Sequence, residues 1–98
     1  MARHLYALTV AALLWSAAAV AAERKGSILA ASCFTCHGSG GVSPGEIPSI
    51  AELDAETLLA MLEAFRNGEA ESTIMTRIAK GYSDAEIEAL AVYLAAQD

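Results

Sequence analysis

Two thiols and an imidazole stand within five residues, Cys33-Phe34-Thr35-Cys36-His37. On a helix, positions three apart share a face, so both thiols are presented together with the imidazole one residue on. Thiols at that spacing suit thioether bonds to the two vinyl groups of a haem, and the following histidine then sits beneath the iron. The C-x-x-C-H string is the attachment sequence for c-type haem. Two other chemistries draw on the same side chains. Zinc takes four ligands in a tetrahedral array, and these residues would need a carboxylate to complete the set. A thiol–disulfide switch needs a strand–helix setting that this chain does not suggest, whereas a plain disulfide needs only an oxidising compartment. Cys33 and Cys36 are read as the covalent attachment points of one haem c, with His37 as an axial ligand of its iron.

The sixth position of that iron draws on a short list. If the N-terminal segment is removed, His4 goes with it and no second histidine remains. Met61 lies between Leu58 and Phe65 on an apolar helical stripe and reads as core packing. Met75 lies 38 residues beyond His37, in a non-repetitive segment able to approach the iron from the opposite side. Met75 is the choice for sixth ligand, with a lysine or water as alternatives and gap-filling as its simpler role. A metal-bound imidazole generally donates its other ring N–H to an acceptor. Pro48, eleven residues after His37 at the end of a glycine-rich loop, offers its carbonyl, although stiffening that loop would be reason enough for a proline.

Three helical patterns must position these groups. The first covers about residues 24–36 and ends in the thiol string. The second covers about 55–66, with Asp54 as N-cap, Leu58, Leu62 and Phe65 at i, i+4 and i+7, and Asn67-Gly68 as a stop. The third covers about 84–97. Ser83 and Glu86 make a capping box there, and Ile87, Leu90 and Leu94 form the stripe, with Tyr93 beside it. Between the first two lies Gly38–Pro48, with four glycines and two prolines in eleven residues. A loop of that length in so small a domain usually covers or binds something. Residues 69–82, with Ile74 and Ile78 at helical spacing, suggest a turn or two of helix. No stretch alternates apolar and polar residues as a strand would, so the fold class is all-α.

With 98 residues, the chain has room for one small domain, too short for a doubly wound or barrel enzyme. Residues 1–22 read as an export signal. Arg3 and His4 precede an apolar run from Leu5 to Val20, and small residues up to Ala22 suit cleavage before Glu23. The run of 16 residues is short for a membrane span of roughly 20, the alternative being an uncleaved anchor. The chain then divides into a signal at 1–22 and a monohaem domain at 23–98, working in a bacterial periplasm with no membrane span. Residues 23–98 carry five basic and twelve acidic side chains, which argues against nucleic acid and anionic membranes as partners. A domain of this size seldom builds a sufficient core unaided, and a bound cofactor would supply the deficit.

The helix running into Cys33-Phe34-Thr35-Cys36-His37-Gly38, the loop ending Ile47-Pro48-Ser49-Ile50, the downstream methionine and the last helix with Tyr93-Leu94 resemble a class I cytochrome c. More closely, SCFTCHGSGGVSPGEIPSI and AFRNGE…STIMTRIAKGYSDAEIEALAVYLAAQ resemble the cytochrome subunit of flavocytochrome c sulfide dehydrogenase. The resemblance covers nearly all of residues 23–98 and implies three main helices packed around one covalently attached haem. The first and last of these would cross at Gly26 or Ala30 against Leu90 or Tyr93. It places the family's ligand methionine on Met75. It implies no catalysis by the haem chain itself, single-electron transfer, and a flavoprotein (FAD) sulfide dehydrogenase subunit or another periplasmic redox protein as partner. An independent soluble shuttle is the alternative. Some members carry two haem domains, and this chain has one C-x-x-C-H. Phe34, Leu53, Leu58, Leu62, Phe65, Ile74 and Ile78 are candidate pocket residues, and Arg77 and Lys80 flank the Met75 side.

Overall fold

The computed structural model describes residues 2–97. Among them every regular element is helical: α1 (Ala2–His37), a 3-10 turn (Ser39–Gly41), α2 (Ala55–Arg66), α3 (Met75–Ala79) and α4 (Asp84–Ala95). Three long helices and one short one make up the all-α fold that the sequence patterns suggest. The first departs from expectation in length. It was expected near residue 24 and instead begins at Ala2. Alanine and leucine dominate residues 5–22 and no proline interrupts them, so nothing in the local sequence halts a helix there. Val10, Leu13, Leu14, Trp15 and Val20 on that extension are exposed. Among the described residues, no helix is long and apolar enough to cross a membrane.

The core lies where α1 crosses α4. Gly26 is buried at the crossing. A Cβ there would stand 2.7 Å from Tyr93 Cβ and 3.1 Å from the Ala89 carbonyl, closer than packed atoms tolerate. One turn later Ala30 is fully buried. Gly26 thus meets Tyr93, and Ala30 lies in the same core cluster as Leu90, as the family resemblance implies. Positions 26, 30, 33 and 37 recur at helical spacing on one face of α1. The face that grips α4 therefore continues into the face that carries Cys33 and His37, and the crossing fixes the thiol string relative to the core. From α4 the buried side chains are Ile87, Leu90, Ala91 and Leu94, and α2 adds Leu58. Of the large side chains among the described residues, only Ile87 and Leu90 are wholly enclosed.

Both later helices begin as the sequence patterns suggest. Asp54 caps α2, its carboxylate accepting from the Thr57 N–H at 2.7 Å. Ser83 and Glu86 form the capping box of α4: the Ser83 hydroxyl accepts from the Glu86 N–H and the Glu86 carboxylate accepts from the Ser83 N–H. Asn67 closes α2, and Gly68 follows with φ +74°, a backbone setting that glycine adopts freely. Arg66 at the end of α2 pairs with Asp84 in the first turn of α4 and so joins the two helices.

The caps give the fold an acid-side dependence. The Thr57 N–H holds the Asp54 carboxyl below its ordinary pKa, and the Ser83 N–H does the same for Glu86. A carboxyl whose folded pKa is depressed stabilises the fold above its unfolded value and loses that effect as pH falls through the folded one. Stability should therefore drop as pH falls from about 5 towards 3, where carboxyls titrate. Denaturant unfolding of Glu86→Gln, which keeps the reach without the titration, should show a shallower fall than the wild type. An equal fall in both would place the sensitivity elsewhere.

Candidate functional site

The end of α1 and the loop beyond it form one latched unit. The Gly38 N–H still donates to the Phe34 carbonyl at 3.0 Å, as the last turn of the helix. Its φ of +89° then turns the chain out of the helix. A Cβ at that position would lie 1.9 Å from the Val42 carbonyl oxygen, so only glycine fits. The Gly41 carbonyl accepts from the N–H groups of both Ile50 and Ala51, at 2.8 and 3.0 Å. The Ser43 N–H donates to the Ser49 hydroxyl at 2.8 Å. The loop is thereby closed at its base, and its returning strand runs back past the end of α1.

That return brings Pro48 to His37. The Pro48 carbonyl oxygen lies 2.5 Å from His37 Nδ1. A carbonyl only accepts, so Nδ1 must carry the proton. The neutral ring then leaves Nε2 with its lone pair free, the form in which imidazole binds a metal. Cys33 and Cys36 are both free thiols, the first half-buried and the second exposed. Cys33 packs against the core cluster, and burial raises its pKa above the ordinary thiol value.

Met75 opens α3 and is half-buried. The Ser72 hydroxyl accepts from the Thr76 N–H at 2.9 Å and holds the start of that helix. α3 packs on α2 and not broadly on α1. The structure thus gathers Cys33, Cys36, His37 and Pro48 into one unit and sets Met75 on a separate element. Met61, expected in the core, is 42% exposed. Leu58 and Leu62 take the inward positions of α2, so Met61 falls to the side of the stripe. Of the candidate pocket residues, Phe34, Leu53 and Leu62 are half-buried against the core.

The side chains present fit a haem. The latched unit offers two thiols and an imidazole with a free Nε2, and Met75 carries a thioether on a separate element. Val42 and Ile47 on the latched loop, and Ile74 and Ile78 on either side of Met75, are exposed. Apolar side chains exposed on the two segments that carry the donors suit a large flat apolar ligand. Among the described residues no group of three or more His, Cys, Asp or Glu converges as metal ligands, so the carboxylate that a zinc site would need is not at hand. Sequence reasoning missed Gly38 and Gly41 as parts of the site. Their role lies in positive φ and in bonds across the loop, which a run of glycines marks only as a loop.

Gly38 and Gly40 both have positive φ, yet nothing lies within 4 Å of a Cβ built at Gly40. Gly40→Ala should cost about 1–2 kcal/mol from backbone conformation alone. Gly38→Ala carries the clash as well and should cost more than about 3 kcal/mol, in the range of severe core lesions. Denaturant unfolding of the two variants reads the difference; equal losses would mean that the loop gives way without strain.

Residues 20–94 match the family model described as cytochrome C oxidase, cbb3-type, subunit III. The chain is 45% identical over 71 residues to the cytochrome subunit of sulfide dehydrogenase of Chlorobaculum tepidum, covering 72% of this chain and 64% of that protein. It is 37% identical over 95 residues to the thiosulfate dehydrogenase electron acceptor of Thiomonas intermedia, covering 95% of this chain and 43% of that one. Cytochrome c-554(548) of Halomonas halodenitrificans is 31% identical over 70 residues, covering 67% of this chain and 84% of that one. The chain spans less than two thirds of the length of the first two relatives.

Proposed function

The chain belongs to the c-type cytochromes, and from that premise we propose that it is a periplasmic monohaem carrier of single electrons, serving as the haem subunit that accepts them from a flavoprotein sulfide dehydrogenase. The observation that carries the partner is the 45% identity to a cytochrome subunit of sulfide dehydrogenase. Cys33 and Cys36 would hold the haem by thioether bonds, and His37 and Met75 would bind its iron. Bound there, a haem supplies a ferric/ferrous one-electron couple.

The protein's own part is to hold, orient and shield. His37 presents Nε2 because its Nδ1–H donates a hydrogen bond to the Pro48 carbonyl. A thioether from Met75 as second ligand favours the ferrous state and raises the potential relative to two nitrogen ligands. With His37 and Met75 both holding the iron, substrate would have no direct access to it, which suits electron transfer rather than oxygen or peroxide chemistry. Phe34, Leu53, Leu58 and Leu62, which lie in or against the core cluster, would give a bound haem apolar surroundings that disfavour the extra charge of ferric iron. Export is supported by the short basic start and apolar run of residues 1–22, where Trp15 is 81% exposed. Cleavage near Ala22 would remove those side chains from water.

A second reading is an independent soluble shuttle between periplasmic redox complexes, and the 31% identity to cytochrome c-554(548), over 84% of that protein, supports it.

Ligation is read from the ferric holoprotein. Met75→Ala should abolish the weak sulfur-to-iron band at the red end of the spectrum and open the ferrous iron to carbon monoxide. Met61→Ala should leave both unchanged. The reverse pattern would move the ligand to Met61. The partner is read by stopped flow: sulfide should reduce the cytochrome rapidly only with the flavoprotein present, and Arg77→Glu or Lys80→Glu should change that rate. Rapid reduction by unrelated periplasmic donors, without binding to any flavoprotein, would leave the shuttle reading in its place.

A further inference from the structure

α3 leans on α2, yet its Met75 has to be held in register with a haem anchored on α1. What ties the α3 segment to α1 is therefore a separate question, and Tyr82 answers it. Beyond α3 the chain stays tightly turned: the Gly81 N–H donates to the Ile78 carbonyl at 3.1 Å and the Tyr82 N–H to the Ala79 carbonyl at 3.2 Å. Ala79 between them is fully buried. Residues 75–82 thus form one hydrogen-bonded run of turns, with Met75 at one end and Tyr82 at the other.

The Tyr82 side chain packs against the core cluster, and its hydroxyl lies 3.3 Å from the Ser32 hydroxyl on α1, the residue before Cys33. The Ser32 hydroxyl donates its single proton to the Leu29 carbonyl at 3.3 Å. Tyr82 must then be the donor to Ser32, in a short relay from Tyr82 through Ser32 to the α1 backbone. On its other side, the Tyr82 carbonyl accepts from Arg66 Nη1 at 3.5 Å, while Nη2 of the same guanidinium pairs with Asp84. One residue therefore meets α1 through its hydroxyl and α2 through its carbonyl, immediately before α4.

We propose that the Tyr82–Ser32 hydroxyl pair is a positioning clamp that sets how firmly Met75 is presented to the iron. This rests on the reading of Met75 as sixth ligand. Removing the hydroxyl leaves the apolar packing of the ring in place but frees the 75–82 piece from the turn of α1 that carries the first thiol. The methionine then competes less well for the iron with a ligand from solution.

The test titrates ferric holoprotein with imidazole and follows loss of the sulfur-to-iron band. Tyr82→Phe should bind imidazole about two- to tenfold more tightly, the factor that one neutral hydrogen bond carries. Ser32→Ala should do the same. The double variant should match either single one, because both remove the same bond. Asp54→Ala weakens the α2 cap far from the pair and should leave imidazole affinity unchanged, which separates positioning from general loss of stability. Unchanged affinity in both single variants, or an equal rise in Asp54→Ala, overturns the clamp while leaving the ligand reading intact. Absence of the band from the wild-type protein overturns the ligand reading and the clamp with it.

Discussion

The contact from the His37 ring to the Pro48 carbonyl organises the site, because it couples a backbone path to the electronic state of a side chain. The carbonyl accepts and cannot donate, so the ring is held as one tautomer with Nε2 free. That carbonyl arrives only because Gly38 turns the chain at φ +89° and the Gly41 carbonyl binds both Ile50 and Ala51. The helix end in turn is fixed by the crossing at Gly26 and Ala30, on the face of α1 that continues into Cys33 and His37. Helix crossing, loop closure and imidazole orientation form a single chain of constraints.

The core is small for the work it does. Among the described residues two large side chains are fully enclosed, both on α4. Several other apolar side chains lie exposed on the loop and around Met75. A domain of this kind stands at the margin where a covalently anchored cofactor changes the balance, since it adds apolar contact and ties down the chain at once. Binding of that group and stability of the fold are then aspects of one interaction, in keeping with the family's use of haem c.

Much of this was legible from the residues. Asp54, the Ser83–Glu86 box and the Asn67-Gly68 stop each act through neighbours a few positions away, so the sequence displays them directly. The thiol string is equally local. The sequence places the start of the first helix near residue 24, whereas alanine and leucine continue it upstream to Ala2. Met61 was assigned inward on spacing alone, yet Leu58 and Leu62 already fill that face and leave it at the side. The links through Tyr82, Ser32 and Arg66 span 16 to 50 residues, and no periodicity or motif marks such pairs.

The central claim, that Met75 is the methionine on the iron, is met most directly by proton NMR of the ferrous holoprotein. A methionine methyl held over the haem plane lies in the ring current and is displaced far upfield as a three-proton singlet. One such singlet, lost when Met75 is replaced by leucine and kept when Met61 is, is the result expected. A singlet that belongs to Met61, or a reduced spectrum with none, would contradict the account.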